Sequence, residues 1–301
     1  MSAGPSLIVT LASPTGLSQA EVAAASAALQ RAGGLVTAEV ALDPPHAIDL
    51  VVRGLSARDA RAAAETLAES HDVIVQPAAG PRLRRLLVAD MDSTMIGQEC
   101  IDELADFAGR KPEIAAITER AMQGELDFAE ALKARVAALA GLEASAIDRT
   151  LAERIRPNPG ARTLIATAKA HGARTLLVSG GFTAFTGPVA ERIGFDRQLA
   201  NSLHLEGGRL AGTVAEPIVD SRAKRATLLA EASAMGLPVE ATLAIGDGAN
   251  DIPMLEAAGL GIAWHAKPKA AAAADAHIRH GDLTAILWAM GIPRRDWVAA
   301  D

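Results

Sequence analysis

Leu86-Leu87-Val88-Ala89-Asp90-Met91-Asp92-Ser93-Thr94 is the stretch on which the fold turns. Its first four residues are apolar without alternation, the pattern of a strand covered on both faces. The run stops at Asp90, which places a carboxylate at the strand's C-terminal end. Two later stretches repeat the arrangement: Thr175 to Val178 runs into Ser179-Gly180-Gly181, and Ala241 to Ile245 runs into Gly246-Asp247-Gly248. Helical segments such as Ala161 to His171 and Ser221 to Met235 alternate with these strands. That alternation predicts an α/β unit, a Rossmann-like parallel sheet whose crevice beyond the strand C-termini is the default binding site.

Glu99 to Leu142 is too long for a plain crossover and rich in helix formers, so a helical cap inserted at about 99–157 is expected. Within it, Glu125-Leu126-Asp127-Phe128 reads equally well as a solvated turn. Ala270 to Ala274 reads as helix. Upstream, Leu7 to Leu11 is a β-rich run, Ser18 opens a helix to Ala32, and Gly33-Gly34 stops it. Leu35 to Leu42 and Ile48 to Arg53 read as strands, Ser56 to Ser70 as a helix, and Val73 to Gln76 as a closing strand. The order β-α-β-β-α-β predicts a ferredoxin-like α+β sandwich over residues 1–80, a regulatory or assembly module. Pro77 to Pro81 reads as a linker, with Arg82, Arg84 and Arg85 solvated, and a second domain over 81–301.

Composition narrows the function. With 301 residues, half of them hydrophobic and 22% charged, the chain is an ordinary globule with room for a sizeable core. Its net charge of −7 excludes the basic stripe that nucleic acid needs, and 3% aromatics argue against stacking platforms for bases or sugars. The single cysteine, Cys100, cannot form an internal disulfide or a cysteine metal site, which fits a reducing, cytoplasmic compartment. Met1 to Leu11 lacks the basic region of a signal peptide, and no run approaches the roughly 20 apolar residues of a membrane helix.

The chemistry lies at the strand ends. Asp90 and Asp92 would share one small volume if the strand continued, and their mutual repulsion suits either a cation or a nucleophile with a partner acid. A capping Asp followed by a turn Asp is an equal reading of that pair alone. Asp247-Gly248-Ala249-Asn250-Asp251 adds two carboxylates beyond another strand, and convergence of Asp90, Asp92 and Asp247 suits magnesium. Ser179-Gly180-Gly181 offers a hydroxyl and backbone N–H groups to an anion, or simply a flexible helix start. Lys224, near a helix N-terminus, reads first as a surface lysine, although a bound anion explains a cation there better than the helix dipole does. Together these are the parts of phosphoryl transfer, with a carboxylate as covalent nucleophile.

In this order, Asp90-Met91-Asp92-Ser93-Thr94, Ser179-Gly180-Gly181, Lys224 and Gly246 to Asp251 resemble the four motifs of the haloacid dehalogenase superfamily phosphatases. Within it, Glu99, Ala121-Met122-Gln123-Gly124, Phe128, Arg135 and the run Gly246 to Met254 resemble the phosphoserine phosphatase family. The likeness covers roughly Leu86 to Trp288, and the N-terminal module is similar to the ACT-like domain that many bacterial members carry. The resemblance implies hydrolysis of O-phospho-L-serine, the last step of serine synthesis. Asp90 would attack phosphorus; Asp92 would protonate the leaving oxygen and then activate water. Mg2+ would be held by the Asp90 carboxylate, the Asp92 carbonyl and Asp247, with Asp251 in support. Ser179, Gly180, Gly181 and Lys224 would bind the phosphate. Glu99 would pair with the substrate ammonium and Arg135 with its carboxylate, Met122 and Phe128 would exclude water, and Asn250 would orient the substrate. Cys100 reads as a small buried residue, and His204 and His265 as structural.

Two other functions remain open on sequence alone: transfer of the phosphoryl group to a small alcohol such as homoserine, and a non-catalytic amino-acid sensor. The partners expected are a small molecule and a second copy of the chain through the N-terminal module, with neither nucleic acid nor membrane.

Overall fold

The computed structural model describes residues 6–64, 67–122 and 127–300, without the side chains of 119, 121 and 122. The chain opens with β1 (Ser6–Ala12), α1 (Gln19–Arg31), β2 (Leu35–Asp43), β3 (Ala47–Arg53), α2 (Ala57–Ala64) and β4 (Asp72–Pro77). These strands form an antiparallel sheet in the order β2-β3-β1-β4. Ser18 caps α1 as expected, with a reciprocal bond between its side chain and Glu21. Alternation along the strands sends Leu7, Val9, Leu11, Leu50 and Val52 into one core with Ala25, Leu29 and Ala60 of the two helices. Of the helix expected over Ser56 to Ser70, Ala57–Ala64 is helical as α2, residues 65 and 66 lie outside the described residues, and 67–70 is a turn closed by Ser70 N–H donating to Leu67 O.

Leu86 to Ala89 is indeed a strand, β5, and each of its four residues is completely buried. Its neighbours divide by parity: Leu87 and Ala89 join one apolar cluster, Leu86 and Val88 the other. This is what an unbroken apolar run means physically. After β5 come the cap helices α3 (Cys100–Phe107), α4 (Lys111–Met122), α5 (Phe128–Ala138) and α6 (Ser145–Glu153). The chain then returns through α7 (Ala161–Ala170), β6 (Arg174–Phe182), α8 (Thr183–Ile193) and β7 (Arg197–Asn201). A hairpin of β8 (Leu203–Glu206) and β9 (Arg209–Val214), which the sequence reading did not contain, leads to α9 (Ser221–Ala234). The chain closes with β10 (Thr242–Gly246), α10 (Ile252–Ala257), β11 (Gly261–Trp264), α11 (Pro268–Ala273), β12 (Ala276–Ile278) and α12 (Ala285–Ala289).

The second sheet is parallel throughout, in the order β12-β11-β10-β5-β6-β7. From β5 the chain builds outward to β6 and β7, then crosses back to β10 on the other side. Strand order therefore reverses beside β5, and the crevice beyond its C-terminal end is the topological switch point.

The arginines expected to be solvated after the linker are a correction. Arg82 pairs with Asp49 and donates to the carbonyl oxygens of Trp288 (2.9 Å) and Ala289 (3.3 Å). Arg84 is 6% exposed and donates to Gln76 Oε1 (2.9 Å) and to the Glu240 carbonyl. Only Arg85 of the three is exposed. The reason is burial: Ala12, Ala47 and Ile74 of the N-terminal sheet share a core with the body, so polar groups along that seam need partners inside it. Among the described residues, no helix is long and apolar enough to cross a membrane.

Candidate active site

The two leading carboxylates converge by a turn, not by strand alternation. β5 stops at Ala89, Asp92 is extended, and Ser93 takes a left-handed φ of 54°, which curls Met91–Met95 over the strand end. Asp90 is 4% exposed; its Oδ1 accepts from Met91 N–H (2.8 Å) and from Lys224 Nζ (2.7 Å). Asp92 Oδ1 accepts from Cys100 N–H (3.1 Å). Its Oδ2 lies 2.9 Å from where a Cβ on Gly181 would sit, so a glycine is needed there. Burial, reinforced by the Glu99 carboxylate, pushes Asp92 up to about 7, against the Cys100 hydrogen bond and Lys224. A carboxyl so poised can give and take a proton near neutrality.

Lys224, 1% exposed near the start of α9, bridges Asp90 and Asp251 (2.8 Å). Burial alone would lower its pKa, but the two carboxylates raise it, so it stays charged. Asp251 uses both oxygens: Oδ1 for Lys224, and Oδ2 for the N–H groups of Asp247 (3.2 Å) and Gly248 (3.1 Å). Its carboxyl also fills the space a side chain on Gly246 would need. Asp247 Oδ1 accepts from Thr94 Oγ1 (3.0 Å). Burial and Asp251 raise Asp247 above the ordinary carboxylate range, and burial and Asp251 do the same to Asp90 despite Lys224.

Asp90, Asp247 and Asp251 each offer one oxygen, all within 4.8 Å of one another. Three carboxylates against the buried Lys224 ammonium and the exposed Lys267 ammonium, 3.8 Å from Asp247 Oδ2, leave a surplus of negative charge that a hard divalent cation would relieve. The donor set therefore fits magnesium. The Asp92 carboxylate is outside this trio.

Ser179 is 1% exposed, and its Oγ accepts from Gly181 N–H (2.9 Å). That amide, expected to be open to an anion, is thus satisfied internally, while the Ser179 hydroxyl proton remains available to donate. The strand expected to end at Val178 continues as β6 to Phe182, with its ladder to β7 interrupted over Ser179 to Gly181. Phe128, the first residue of α5, comes within 3.0 Å of the Cβ position of Gly180, so the cap closes onto this loop. Glu99 is exposed and accepts from Ser93 Oγ (2.7 Å). Arg135 is part-buried on α5, and its Nε donates to Ala131 O (3.3 Å). Burial lowers its pKa against the opposing fields of Asp102, Glu99 and Asp92. Asn250 folds back so that its Oδ1 occupies the space beside Gly248. Met122 closes α4, but its side chain, like residues 123–126, lies outside the described residues.

Cys100 is buried and opens α3. His265 contacts the Gly281 carbonyl (3.0 Å) and His204 contacts Thr213 Oγ1 (2.9 Å), as structural histidines would. Sequence reasoning missed three supporting residues. Thr94 holds Asp247, Asn158 Nδ2 holds the Thr94 carbonyl (2.8 Å), and Lys267 donates its N–H to the Asp247 carbonyl (2.9 Å). Thr94 stood in the opening motif; the other two gave no signal.

Residues 87–256 match the haloacid dehalogenase-like hydrolase family. A phosphoserine phosphatase of Streptomyces coelicolor is 43% identical over 303 residues, covering 99% of this chain and 73% of that protein. The chain is a member of the phosphoserine phosphatase family. The solved structure of a probable phosphoserine phosphatase from Vibrio cholerae, in unliganded form, superposes with a TM-score of 0.75 at 28% identity, covering 97% of this chain and 88% of that one. A phosphoserine phosphatase solved as a phospho-aspartyl intermediate analogue superposes at 0.64 with 38% identity, covering 68% of this chain and 98% of that one. Both place the parallel sheet and its crevice within the family's fold.

Proposed function

We propose that the protein hydrolyses O-phospho-L-serine to L-serine and orthophosphate through a phosphoryl group carried on Asp90, the terminal reaction of serine synthesis. The observation that carries this reading is the buried Asp90–Lys224–Asp251 constellation beside Asp92 at the switch point. With one Asp90 oxygen committed to Lys224 and Met91, the other attacks phosphorus as the bond to the serine oxygen breaks. Asp92 gives its proton to that oxygen, so serine leaves neutral at its hydroxyl. Asp92 then takes a proton from water, whose oxygen attacks phosphorus and displaces the Asp90 carboxylate, freeing orthophosphate.

Magnesium would be held by the carboxylates of Asp90 and Asp247 and the Asp92 carbonyl, with Asp251 supporting the turn that carries Asp247. When bound it supplies charge neutralisation at the transferring phosphoryl group. The Ser179 hydroxyl, the Gly180 backbone and the Lys224 ammonium hold the phosphate oxygens, while the Gly181 N–H stays on Ser179 Oγ and fixes that hydroxyl. Arg135 grips the substrate carboxylate, Glu99 its ammonium, Phe128 excludes water, and Asn250 steadies the bound serine. A grip on both charged ends favours a free amino acid over phosphoserine within a protein.

The N-terminal module, read over residues 1–80, is ACT-like in its β-α-β-β-α-β order and two-helix core, and serves assembly. Its edge strand β2 leaves Leu35 (60%) and Val40 (47%) exposed, a surface suited to a second copy. Val40→Lys should shift the oligomer size seen by light scattering; an unchanged size would remove that role. The compartment proposed is the cytoplasm. The function itself is tested by phosphate release from O-phospho-L-serine with magnesium, with EDTA and with Asp90→Asn. Release only by wild type with magnesium supports it, while activity on a generic aryl phosphate alone would leave the core chemistry and remove the Glu99 and Arg135 assignment.

A further inference from the structure

We propose that Asn201 is a positioning residue that locks the two halves of the phosphate site together. The starting observation is a fault in the parallel ladder. β6 and β7 pair in register from Leu176 with Arg197 to Val178 with Leu199, and next at Phe182 with Asn201. Three residues of β6, Ser179 to Gly181, therefore face a single residue of β7, and the loop is extruded from the sheet with its backbone groups released from the ladder. Released backbone groups inside a protein must find other partners.

Asn201 supplies one. Its side chain is 2% exposed, its Nδ2 donates to the Gly180 carbonyl (2.9 Å), and its Oδ1 accepts from Val219 N–H (2.7 Å). The amide thus stands in for the missing strand on one side and reaches a different chain segment on the other. That second segment is the approach to α9. Val219 precedes Asp220, whose side chain caps α9 through Ala223 N–H (2.8 Å), and Lys224 N–H bonds back to the Asp220 carbonyl (3.0 Å). One buried side chain therefore ties the loop bearing Ser179 to the helix start bearing Lys224. Val219 O lies 3.7 Å from the Cβ position of Gly180, so the two segments touch where the amide joins them.

An asparagine fits this task because it is a donor and an acceptor on one rigid planar group. It touches neither the reacting atoms nor the metal ligands. Its effect is to fix the separation between the Ser179 hydroxyl and the Lys224 ammonium, which together must match one phosphate. The inference rests on the proposed assignment of Ser179, Gly180 and Lys224 to phosphate.

The test compares two inhibitors in the full-length protein: orthophosphate, which occupies only this site, and L-serine, which occupies only the cap end. Asn201→Ala removes the amide. Asn201→Ser is a milder change that lets water satisfy the freed Gly180 and Val219 groups and so preserves folding. Ser202→Ala, an exposed neighbour outside the machinery, serves as control. Both Asn201 variants should raise the inhibition constant of orthophosphate and the KM for O-phospho-L-serine together, by about tenfold. The inhibition constant of L-serine should stay within about twofold, and Ser202→Ala should match wild type. An equal rise for both inhibitors, or an unchanged phosphate constant with activity falling in step with melting temperature, would show a merely structural residue and overturn the proposal. The two readings fail separately. A wrong phosphate site appears as a wild type that orthophosphate does not inhibit competitively, which overturns both; a wrong clamp appears only in the Asn201 variants.

Discussion

The two ends of the parallel sheet treat their carboxylates in opposite ways. At the C-terminal end, Asp90, Asp92 and Asp247 are crowded and desolvated, and all three are raised above the ordinary range. At the N-terminal end, Asp196 sits just before β7 with Lys169 Nζ at 2.8 Å and the Thr175 N–H at 2.9 Å. Burial there would raise it, but Lys169 and Thr175 prevail and hold it below the usual range. The difference teaches where the molecule stores unfavourable charge. One end contributes to stability, while the other keeps negative charge waiting for a cation and a phosphoryl group.

Four perturbations would break or sharpen that contrast. The largest effect is expected from Asp90→Asn: turnover of O-phospho-L-serine falls by at least about 10³-fold. The unfolding temperature without magnesium should be no lower than wild type, because one crowded carboxylate is gone. A strongly destabilised Asp90→Asn would mean that this end is as satisfied as the other.

Arg135→Ala comes next and acts on the cap. Loss of a bidentate carboxylate contact should lower kcat/KM by about 10²-fold, mostly through KM. A fall confined to kcat would move Arg135 from substrate binding to the chemical step.

Magnesium should itself stabilise the C-terminal end. At a free concentration 100 times its Kd the gain is about 2.7 kcal/mol, read as a rise in unfolding temperature that EDTA reverses. Asp247→Asn should abolish most of that rise.

The smallest effect belongs to Asp196→Asn, which should destabilise by about 1 kcal/mol at pH 7. Because the folded-state pKa is depressed, the carboxylate's contribution is present above its unfolded pKa and is lost as pH falls through the folded value. The gap between variant and wild type should therefore close below about pH 4. A gap independent of pH would mean that shape, not charge, makes the contact.

The C-terminal side of this contrast is legible in the sequence. An unbroken apolar run has one physical meaning, burial on both faces, so Leu86 to Ala89 could be placed as a strand of a parallel sheet and Asp90 at its end. Asp90, Ser179 and Asp247 marked the crevice for the same reason, since each follows such a run, while Lys224 was marked by its place near a helix start and by the order of the motifs. What could not be read depends on contacts between distant segments. Asn201 looks like any polar residue at a strand end, and only the ladder fault at Ser179 to Gly181 gives its amide a task. Arg82 and Arg84 looked solvated because their partners, Asp49 and Gln76, belong to the other sheet. The hairpin β8 and β9 was missed because Leu203, Leu205 and Leu210 are spread among polar and glycine residues. It meets the cap through backbone bonds between Leu210 and residues 141 and 142.

The most direct test of the central claim is to mix the protein and magnesium with O-phospho-L-serine radiolabelled at phosphorus, quench with acid within the first turnover, and map any label left on the chain. Label on the peptide bearing Asp90 in wild type, and none in Asp90→Asn, is the expected result. Label on another residue, or label retained in Asp90→Asn, would contradict covalent catalysis by Asp90.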